Sequence, residues 1–263
     1  MNEINIFDKI FNVEEKYPLS GQKEVYRVSN NLQKFIIKII EFKEISEIER
    51  SYREAEFLMK KNNSDYFPKI YNINLSLPEK KFYILEEFIS GDTLENLKST
   101  YKDNEKKVII LLLNLIEGLN FLWKNKIIHR DLKPLNIIIK NNEKPVILDL
   151  GIAKFLEMSS VTLGEKRMPY SNFYFAPEQY KNIQYLISHR TDFFVLGIVI
   201  YELFTGKRPF NNNEEILKCT YIKTGNKNFD NLLEKLLKIQ PYERFKNYKV
   251  FKEHLENYLK NIN

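Results

Sequence analysis

The chain has 263 residues, enough for one large domain or two lobes around a substantial buried core. Hydrophobic residues make up 43% and charged residues 29%, which is typical of a soluble globular protein and excludes a disordered or fibrous chain. The 41 Lys and Arg exceed the 35 Asp and Glu by six, but these side chains are spread along the chain, and no nucleic-acid-binding motif is present.

The first third of the chain predicts a small sheet with one helix. β-Branched and aromatic residues at 24–28 and 34–40 predict two strands joined by a polar Asn-Asn turn. Across 42–61 the apolar residues recur every three to four positions, which indicates a helix. Residues 69–77 and 82–89 predict two further strands.

After Gly91 the pattern becomes helical. Residues 108–123 predict a strongly apolar helix, and residues 190–205 predict a second buried helix that Gly206 ends. Two short β runs and two closing amphipathic helices are predicted at 136–140, 145–148, 230–239 and 248–259.

The segment HRDLKPLN at residues 129–136, followed by Asp149, carries the groups that phosphoryl transfer requires. Such a reaction needs a carboxylate to orient the attacking hydroxyl, hard oxygen ligands for Mg²⁺ and a cation to hold the phosphate charge. Asp131, Lys133, Asn136 and Asp149 offer all of these. The segment resembles the catalytic loop of the eukaryotic-type protein kinases, most closely that of their serine/threonine branch.

The resemblance covers roughly residues 14–260 and implies an α+β, bilobal protein-kinase-like fold. A small antiparallel β-sheet lobe with one main helix would precede a larger helical lobe. We therefore expect residues 1–263 to form a single kinase domain. Its N-terminal lobe would span about 10–88, its hinge 89–91 and its C-terminal lobe 92–263.

The same resemblance assigns roles to the residues of the large lobe. Asp131 would be the catalytic base or hydroxyl-orienting group, Lys133 would contact the transferred phosphate, and Asn136 would bind magnesium. Asp149 would be the main magnesium ligand, bridging the β- and γ-phosphates, although Leu150 stands where the family usually has Phe. ATP and Mg²⁺ are the cofactors implied.

In the small lobe, Lys38 is the last residue of the segment FIIK at 35–38, which resembles the Val-Ala-Ile-Lys motif of kinases, and it would hold the α- and β-phosphates as a point charge. An acid on the following helix is expected to hold Lys38 in place. Glu54 is the assigned acid, with Glu47 and Glu56 as alternatives. Val25 would anchor the end of the glycine-rich loop.

That loop departs from the family pattern, because its three glycine positions are Pro18, Ser20 and Lys23. Gly21 lies beside the second position. Glycine matters there because backbone N–H groups must approach the phosphates with no Cβ in the way. Lys23 offers a compensating charge, and an open loop with weaker nucleotide affinity is the alternative.

Two further departures lie at the adenine pocket. Ile36 replaces the small Ala that leaves room above the purine, and Glu86 replaces the usual Met, Thr or Leu at the back. A buried Glu needs a partner or stays protonated. Lys38 and backbone donors are the candidate partners, and a one-residue misalignment is the alternative. The main chain of Glu87 and Ile89 would pair with adenine.

Residues 149–178 resemble an activation segment, ending in SNFYFAPE, in which Ser171 stands for the threonine that hydrogen-bonds the catalytic aspartate. Glu178 is expected to form a buried ion pair with Arg244. Asp192 is expected to hold the backbone of the His129 loop.

Arg130, before the catalytic aspartate, often marks regulation by activation-loop phosphorylation in this family. We expect a phosphate on Ser159, Ser160 or Thr162 that pairs with Arg130, with Lys154 as a second candidate partner. The alternative is a Ser- and Thr-containing loop with no regulatory role.

The single cysteine, Cys219, cannot form an intramolecular disulfide, and the first residues lack a signal-peptide pattern. The longest apolar run, 193–201, is far shorter than the ~20 residues that a membrane span needs. We therefore expect a cytoplasmic protein with no membrane span.

The resemblance implies an ATP- and Mg²⁺-dependent kinase that phosphorylates Ser and Thr hydroxyls of protein substrates, with autophosphorylation in trans also expected. Two alternatives stay open. A pseudokinase acting as a binding or scaffold module with weak nucleotide affinity would explain the glycine-poor loop, Ile36 and Glu86. A kinase-fold enzyme acting on a small molecule would generally lack the Ala-Pro-Glu segment and the Asp192 helix, both of which are present.

Overall fold

The computed structural model describes most of the chain, and the described residues form two compact units, one ending at Ser90 and the other beginning at Gly91. The side chains of Arg50 and Glu54 are not among the described parts of the chain. The described ranges are 3–18, 23–61, 64–140, 144–149 and 173–262.

The first unit is built on a six-stranded antiparallel sheet. Its strands are β1 (Glu3–Ile6), β2 (Lys9–Lys16), β3 (Lys23–Asn30), β4 (Gln33–Glu41), β5 (Ile70–Ser76) and β6 (Lys81–Glu87). They lie in the order β1-β2-β3-β4-β6-β5. Helix α1 (Ile45–Lys61) packs against β5 and β6.

Alternation along the strands divides this sheet into two faces, as expected for a pleated backbone. One face packs Val28, Ile37 and Leu85 against residues of β1 and β2. The opposite face packs Ile40 and Ile84, among others, against α1. Both faces of the central strands are therefore buried, so the register of β3, β4 and β6 is strongly specified.

The hairpin formed by β1 and β2 was not predicted from the sequence. Its turn residues, Phe7 and Asp8, both have positive φ, at 55° and 56°. Turns of this kind favour Asn-Gly or Asp-Gly, and Phe at the first position gives no such signal. The hairpin is held instead by tertiary packing, since Ile4, Ile6 and Phe11 are buried in the core. The first unit thus starts well before residue 10.

The second unit combines helices with a small antiparallel sheet. The strands β7 (Asp92–Thr93), β8 (Ile137–Ile139) and β9 (Pro145–Ile147) pair in chain order. The helices are α2 (Glu105–Lys124), α3 (Pro177–Tyr180), α4 (His189–Thr205), α5 (Asn213–Lys218), α6 (Lys227–Leu236) and α7 (Tyr248–Asn261). Helix α2 packs against α4 and α7, and α4 packs against α6.

Helix α4 forms the centre of the second unit and confirms the predicted buried helix. Every residue from Thr191 to Leu203 is buried. The helix begins at a capping box, in which Ser188 and Thr191 exchange hydrogen bonds, and ends at Gly206 with a φ of 72°. The predicted C-terminal stop at Gly206 is therefore confirmed. None of the helices in the described ranges is long and apolar enough to span a bilayer.

Candidate active site

In the first unit, Lys38 lies in the middle of β4 and faces the same side of the sheet as α1. It is paired in register with Val25 on β3 and with Ile84 on β6. Its ammonium forms an ion pair with Glu86 at an Nζ–Oε1 distance of 2.5 Å. The two side chains are only 8% and 9% exposed. Of the candidate partners expected for a buried Glu86, Lys38 is therefore one that the structure shows.

The acids proposed on α1 have different outcomes. Glu54 lies within α1, but its side chain is outside the described residues. Glu47 accepts a hydrogen bond from the backbone N–H of Lys43 at the start of the helix. Glu56 forms an ion pair with Lys60 one turn away, at 2.9 Å. Glu86, which lies on the neighbouring strand β6, pairs with Lys38 instead. From the sequence, Lys38 was only one of the candidate partners for Glu86.

The residues expected to contact adenine lie at the end of β6 and just beyond it. The backbone N–H of Glu87 donates to the carbonyl of Lys69 at 2.8 Å. Pairing of Glu87 with a purine would therefore have to use its carbonyl oxygen. Ile89 is buried. Gly21 lies outside the described residues.

In the second unit, the loop before Asp131 is fixed by Asp192 in the first turn of α4. The Asp192 carboxylate accepts hydrogen bonds from the backbone N–H groups of His129 and Arg130, both at 3.0 Å, and from the Trp123 indole at 2.8 Å. Arg130 has a φ of 65°, a left-handed conformation that costs a non-glycine residue about 1–2 kcal/mol. The predicted scaffold role of Asp192 is confirmed.

His129 is completely buried, and its imidazole links the same loop to the residue that follows β9. Its Nδ1 accepts from the backbone N–H of Asp131 at 3.3 Å. Nε2 must then carry the proton and donate to the Leu148 carbonyl at 2.9 Å. Burial lowers the pKa of His129 below its usual value, which favours this neutral form.

Asp131, Lys133 and Asn136 form one hydrogen-bonded cluster. The Asn136 amide donates to the Asp131 carbonyl at 2.9 Å and to its carboxylate Oδ2 at 3.1 Å. Lys133 Nζ lies 3.4 Å from the same Oδ2. A 3-10 turn over Pro134–Asn136 brings these side chains together, because it reverses the chain between Lys133 and Asn136. These three residues were expected from the segment 129–136 and its resemblance to the kinase catalytic loop.

Asp149 lies two residues after the end of β9 and has a φ of 52°. The backbone just before it is held next to Asn136, since the Leu148 N–H donates to the Asn136 carbonyl at 2.8 Å. Leu150 lies outside the described residues.

These residues fit a magnesium ion chemically. Asn136 uses its amide nitrogen on Asp131, which leaves the amide oxygen as a hard ligand, and Asp149 supplies a carboxylate. Within the described ranges, no group of three or more His, Cys, Asp or Glu is placed to hold a metal. Magnesium usually takes one or two protein oxygens and completes its shell with phosphates and water, so two ligands suffice.

The predicted pair of Glu178 and Arg244 is a bidentate, fully buried ion pair. The two N–O distances are 2.7 and 2.9 Å, and the side chains are 1% and 0% exposed. Arg244 also donates to the Arg190 carbonyl at 2.8 Å, which ties this pair to the start of α4. The expectation for Glu178 and Arg244 is confirmed.

One buried cluster was missed from the sequence. Glu202, near the end of α4, accepts from the hydroxyl of Tyr174 and pairs with Lys98 at 2.5 Å. A carboxylate inside an apolar helix was the available signal, because such a group must be partnered. The activation-segment residues named above, Ser159, Ser160, Thr162, Lys154 and Ser171, lie outside the described residues.

Comparison with known proteins agrees with this geometry. Residues 21–256 match the protein kinase domain family. A probable serine/threonine-protein kinase of Clostridium perfringens is 30% identical over 262 residues, covering 92% of this chain and 37% of that protein. One of Clostridium acetobutylicum is 32% identical over 207 residues, covering 76% of this chain and 31% of that protein. The chain thus spans well under half of these two relatives.

A shorter relative is matched over most of its length. Serine/threonine-protein kinase 1 of Heliothis zea nuclear polyhedrosis virus is 32% identical over 216 residues, covering 81% of this chain and 74% of that protein. Among solved structures, the PpkA-294 apo form has a TM-score of 0.74 at 20% identity, covering 93% of this chain and 95% of that one. At that identity the likeness shows the fold, and the expected bilobal α+β kinase fold is confirmed. The chain therefore belongs to the protein kinase superfamily, in its serine/threonine branch.

Proposed function

We propose that this chain transfers the γ-phosphate of ATP to Ser and Thr hydroxyls of proteins in a magnesium-dependent reaction. The observation that carries the proposal is the cluster of Asp131, Lys133 and Asn136. In it a single carboxylate oxygen is shared by an amide and an ammonium, and the backbone of the preceding loop is held by Asp192. A preorganised carboxylate beside a cation is what in-line phosphoryl transfer needs.

In this mechanism Asp131 orients the substrate hydroxyl and accepts its proton. The hydroxyl oxygen forms a bond to the γ-phosphorus while the bond from that phosphorus to the β–γ bridging oxygen breaks, and ADP leaves. Lys133 holds negative charge on the transferred group, and Lys38 holds the α- and β-phosphates. Magnesium, bound by the Asn136 amide oxygen and the Asp149 carboxylate, would neutralise the remaining phosphate charge. Glu87 and Ile89 would offer main-chain groups to adenine.

The test compares Asp131→Asn with a matched control. Asp103→Asn makes the same chemical change at an exposed turn in the same unit, where φ is 55° and Asn is well tolerated. With Mg-ATP and a degenerate Ser/Thr peptide pool, Asp131→Asn should lower kcat by a factor of about 100 to 10,000. ATP affinity, measured by calorimetry, should stay within about twofold, because Asp131 contacts the acceptor and not the nucleotide.

Asp103→Asn should match the wild type in both measurements. A kcat for Asp131→Asn close to that of the wild type would disprove the role of Asp131. A wild-type protein that binds ATP but transfers no phosphate would support the pseudokinase alternative. That alternative has one observation in its favour, because Lys38, the residue assigned to the phosphates, is held by Glu86.

We also propose autophosphorylation in trans on Ser159, Ser160 or Thr162. The motivation is Arg130, next to the catalytic aspartate. Replacing all three hydroxyl residues by Ala should remove phosphate added during incubation with ATP and lower activity. If intact mass after incubation and activity are both unchanged, this regulatory proposal is wrong, while the kinase assignment stands.

A further inference from the structure

Three charged side chains are buried in a diagonal row on one face of the first sheet. Lys23 lies on β3, Lys38 on β4 and Glu86 on β6, and each residue is buried. In the strand register, Lys23 is opposite Ile40, Lys38 is opposite Ile84, and Glu86 is opposite Ile36. Each charged residue is therefore offset by two positions from the next, which makes them same-face diagonal neighbours.

The strand register places Glu86 close to Lys38, because Glu86 lies two residues from Ile84, which is directly opposite Lys38. The Nζ–Oε1 distance is 2.5 Å, and Ile40 and Ile84, which flank the pair on the same face, are fully or almost fully buried. A buried ion pair in apolar surroundings interacts strongly, because little water screens it. Lys38 is thus paired with an acid on the strand that leads to the segment expected to contact adenine.

We propose that Glu86 is the resting counter-ion of Lys38 and that nucleotide phosphates compete with it for the ammonium. This inference rests on the proposed function, in which Lys38 binds the α- and β-phosphates. Competition arises because the ammonium is a compact point charge, and because a buried carboxylate beside the phosphates repels them. Glu86 therefore lowers nucleotide affinity, and it does so more strongly as the number of phosphates rises.

The opposite effect is expected if Glu86 merely holds Lys38 in a phosphate-binding position. Removing the carboxylate would then release the lysine and weaken ATP binding. The sign of the change in affinity separates these two roles, and a change in pocket shape alone would affect adenosine as much as ATP. Glu86→Gln is the appropriate variant because it removes the charge and keeps the size of the side chain.

The experiment measures the affinities of ATP, ADP and adenosine by calorimetry for the wild type and Glu86→Gln. The control, Glu41→Gln, breaks another β4–β6 ion pair, that of Glu41 with Lys81 at 3.5 Å, where Glu41 is 68% exposed. Glu86→Gln should bind ATP about tenfold more tightly and ADP about threefold more tightly, with adenosine within about twofold. Glu41→Gln should not differ from the wild type.

Unchanged or weaker ATP binding by Glu86→Gln, or an equal change for adenosine, would overturn the inference. If Glu86→Gln does not fold, Glu86→Asp keeps the charge but shortens the side chain by one methylene, which moves the carboxylate away from the Lys38 ammonium. It should bind ATP about threefold more tightly than the wild type, and weaker binding would again overturn the inference.

Phosphate transfer by the wild type, measured in parallel with Asp131→Asn, separates the two claims. If transfer depends on Asp131 and neither Glu86 variant binds ATP more tightly, only the inference about Glu86 fails. If the wild type and Glu86→Gln both fail to bind ATP, the proposed function fails and this inference fails with it.

Discussion

The interaction of Asp192 with the loop before Asp131 leads to a quantitative prediction for Asp192→Asn. Asp192 is fully buried and accepts three hydrogen bonds, one at Oδ1 from Arg130 N–H and two at Oδ2 from His129 N–H and the Trp123 indole. An asparagine has only one acceptor oxygen. Its best orientation keeps the two bonds at the Oδ2 position and turns the NH₂ group towards the N–H of Arg130.

The cost follows from these contacts. A buried Arg130 N–H left without an acceptor costs about 1–3 kcal/mol, and the two remaining bonds lose their charge-assisted part, about 1 kcal/mol each. The total is about 3–5 kcal/mol, a large share of a typical unfolding free energy. The left-handed backbone of Arg130 also loses its restraint, so Asp131 should be misplaced and kcat should fall.

Urea unfolding followed by circular dichroism measures this change, with Trp123→Phe and Asp103→Asn as comparisons. Trp123→Phe removes one of the three donors and should cost about 1–2 kcal/mol. Asp103→Asn, at an exposed turn, should stay within about 0.5 kcal/mol of the wild type. A loss of less than about 1 kcal/mol for Asp192→Asn would show that its three hydrogen bonds do not stabilise the protein to this extent.

Three further predictions concern stability and nucleotide affinity. Glu178→Gln should lower the unfolding free energy by about 3–5 kcal/mol in urea titrations, because it leaves Arg244 buried without its counter-ion; a loss below about 1 kcal/mol would contradict this. Lys23→Ala should weaken ATP binding in calorimetry by about five- to tenfold and leave adenosine unchanged, since Lys23 lies on the Lys38 face; equal losses for both ligands would argue against a phosphate contact. The unfolding free energy should fall between pH 7.5 and 5.5, because burial lowers the pKa of all three histidines and protonation then favours the unfolded chain; a flat or opposite pH profile in urea titrations would refute this. The histidines are His129, His189 and His254.

The elements that local patterns specify were predictable from the sequence. Helix α4 is an example, because an apolar run bounded by Ser188 and Gly206 contains its own start and stop signals. The β1–β2 hairpin was not predictable, because its turn at Phe7 and Asp8 lacks the usual residues and its stability comes from packing on the sheet. The short helices α3 and α5 carry too few residues for a periodic pattern.

The candidate site likewise contains some contacts that were predictable from the sequence and others that were not. The cluster of Asp131, Lys133 and Asn136 was predictable because its members lie close together in the sequence, with Asp131 and Asn136 five positions apart. The pair of Lys38 with Glu86 depends on the register of two strands separated by a helix and another strand, so it could be predicted only as one option among several. Glu202 and Lys98 are 104 positions apart, and no local pattern links them.

The most direct test of the central claim is phosphosite mapping by mass spectrometry after incubation of the purified protein with Mg-ATP, with and without Asp131→Asn. The wild type should carry new phosphate on Ser or Thr hydroxyls and the variant almost none, although both bind ATP with similar affinity. Equal phosphate incorporation in the two proteins, or none in a wild type that binds Mg-ATP, would contradict this claim.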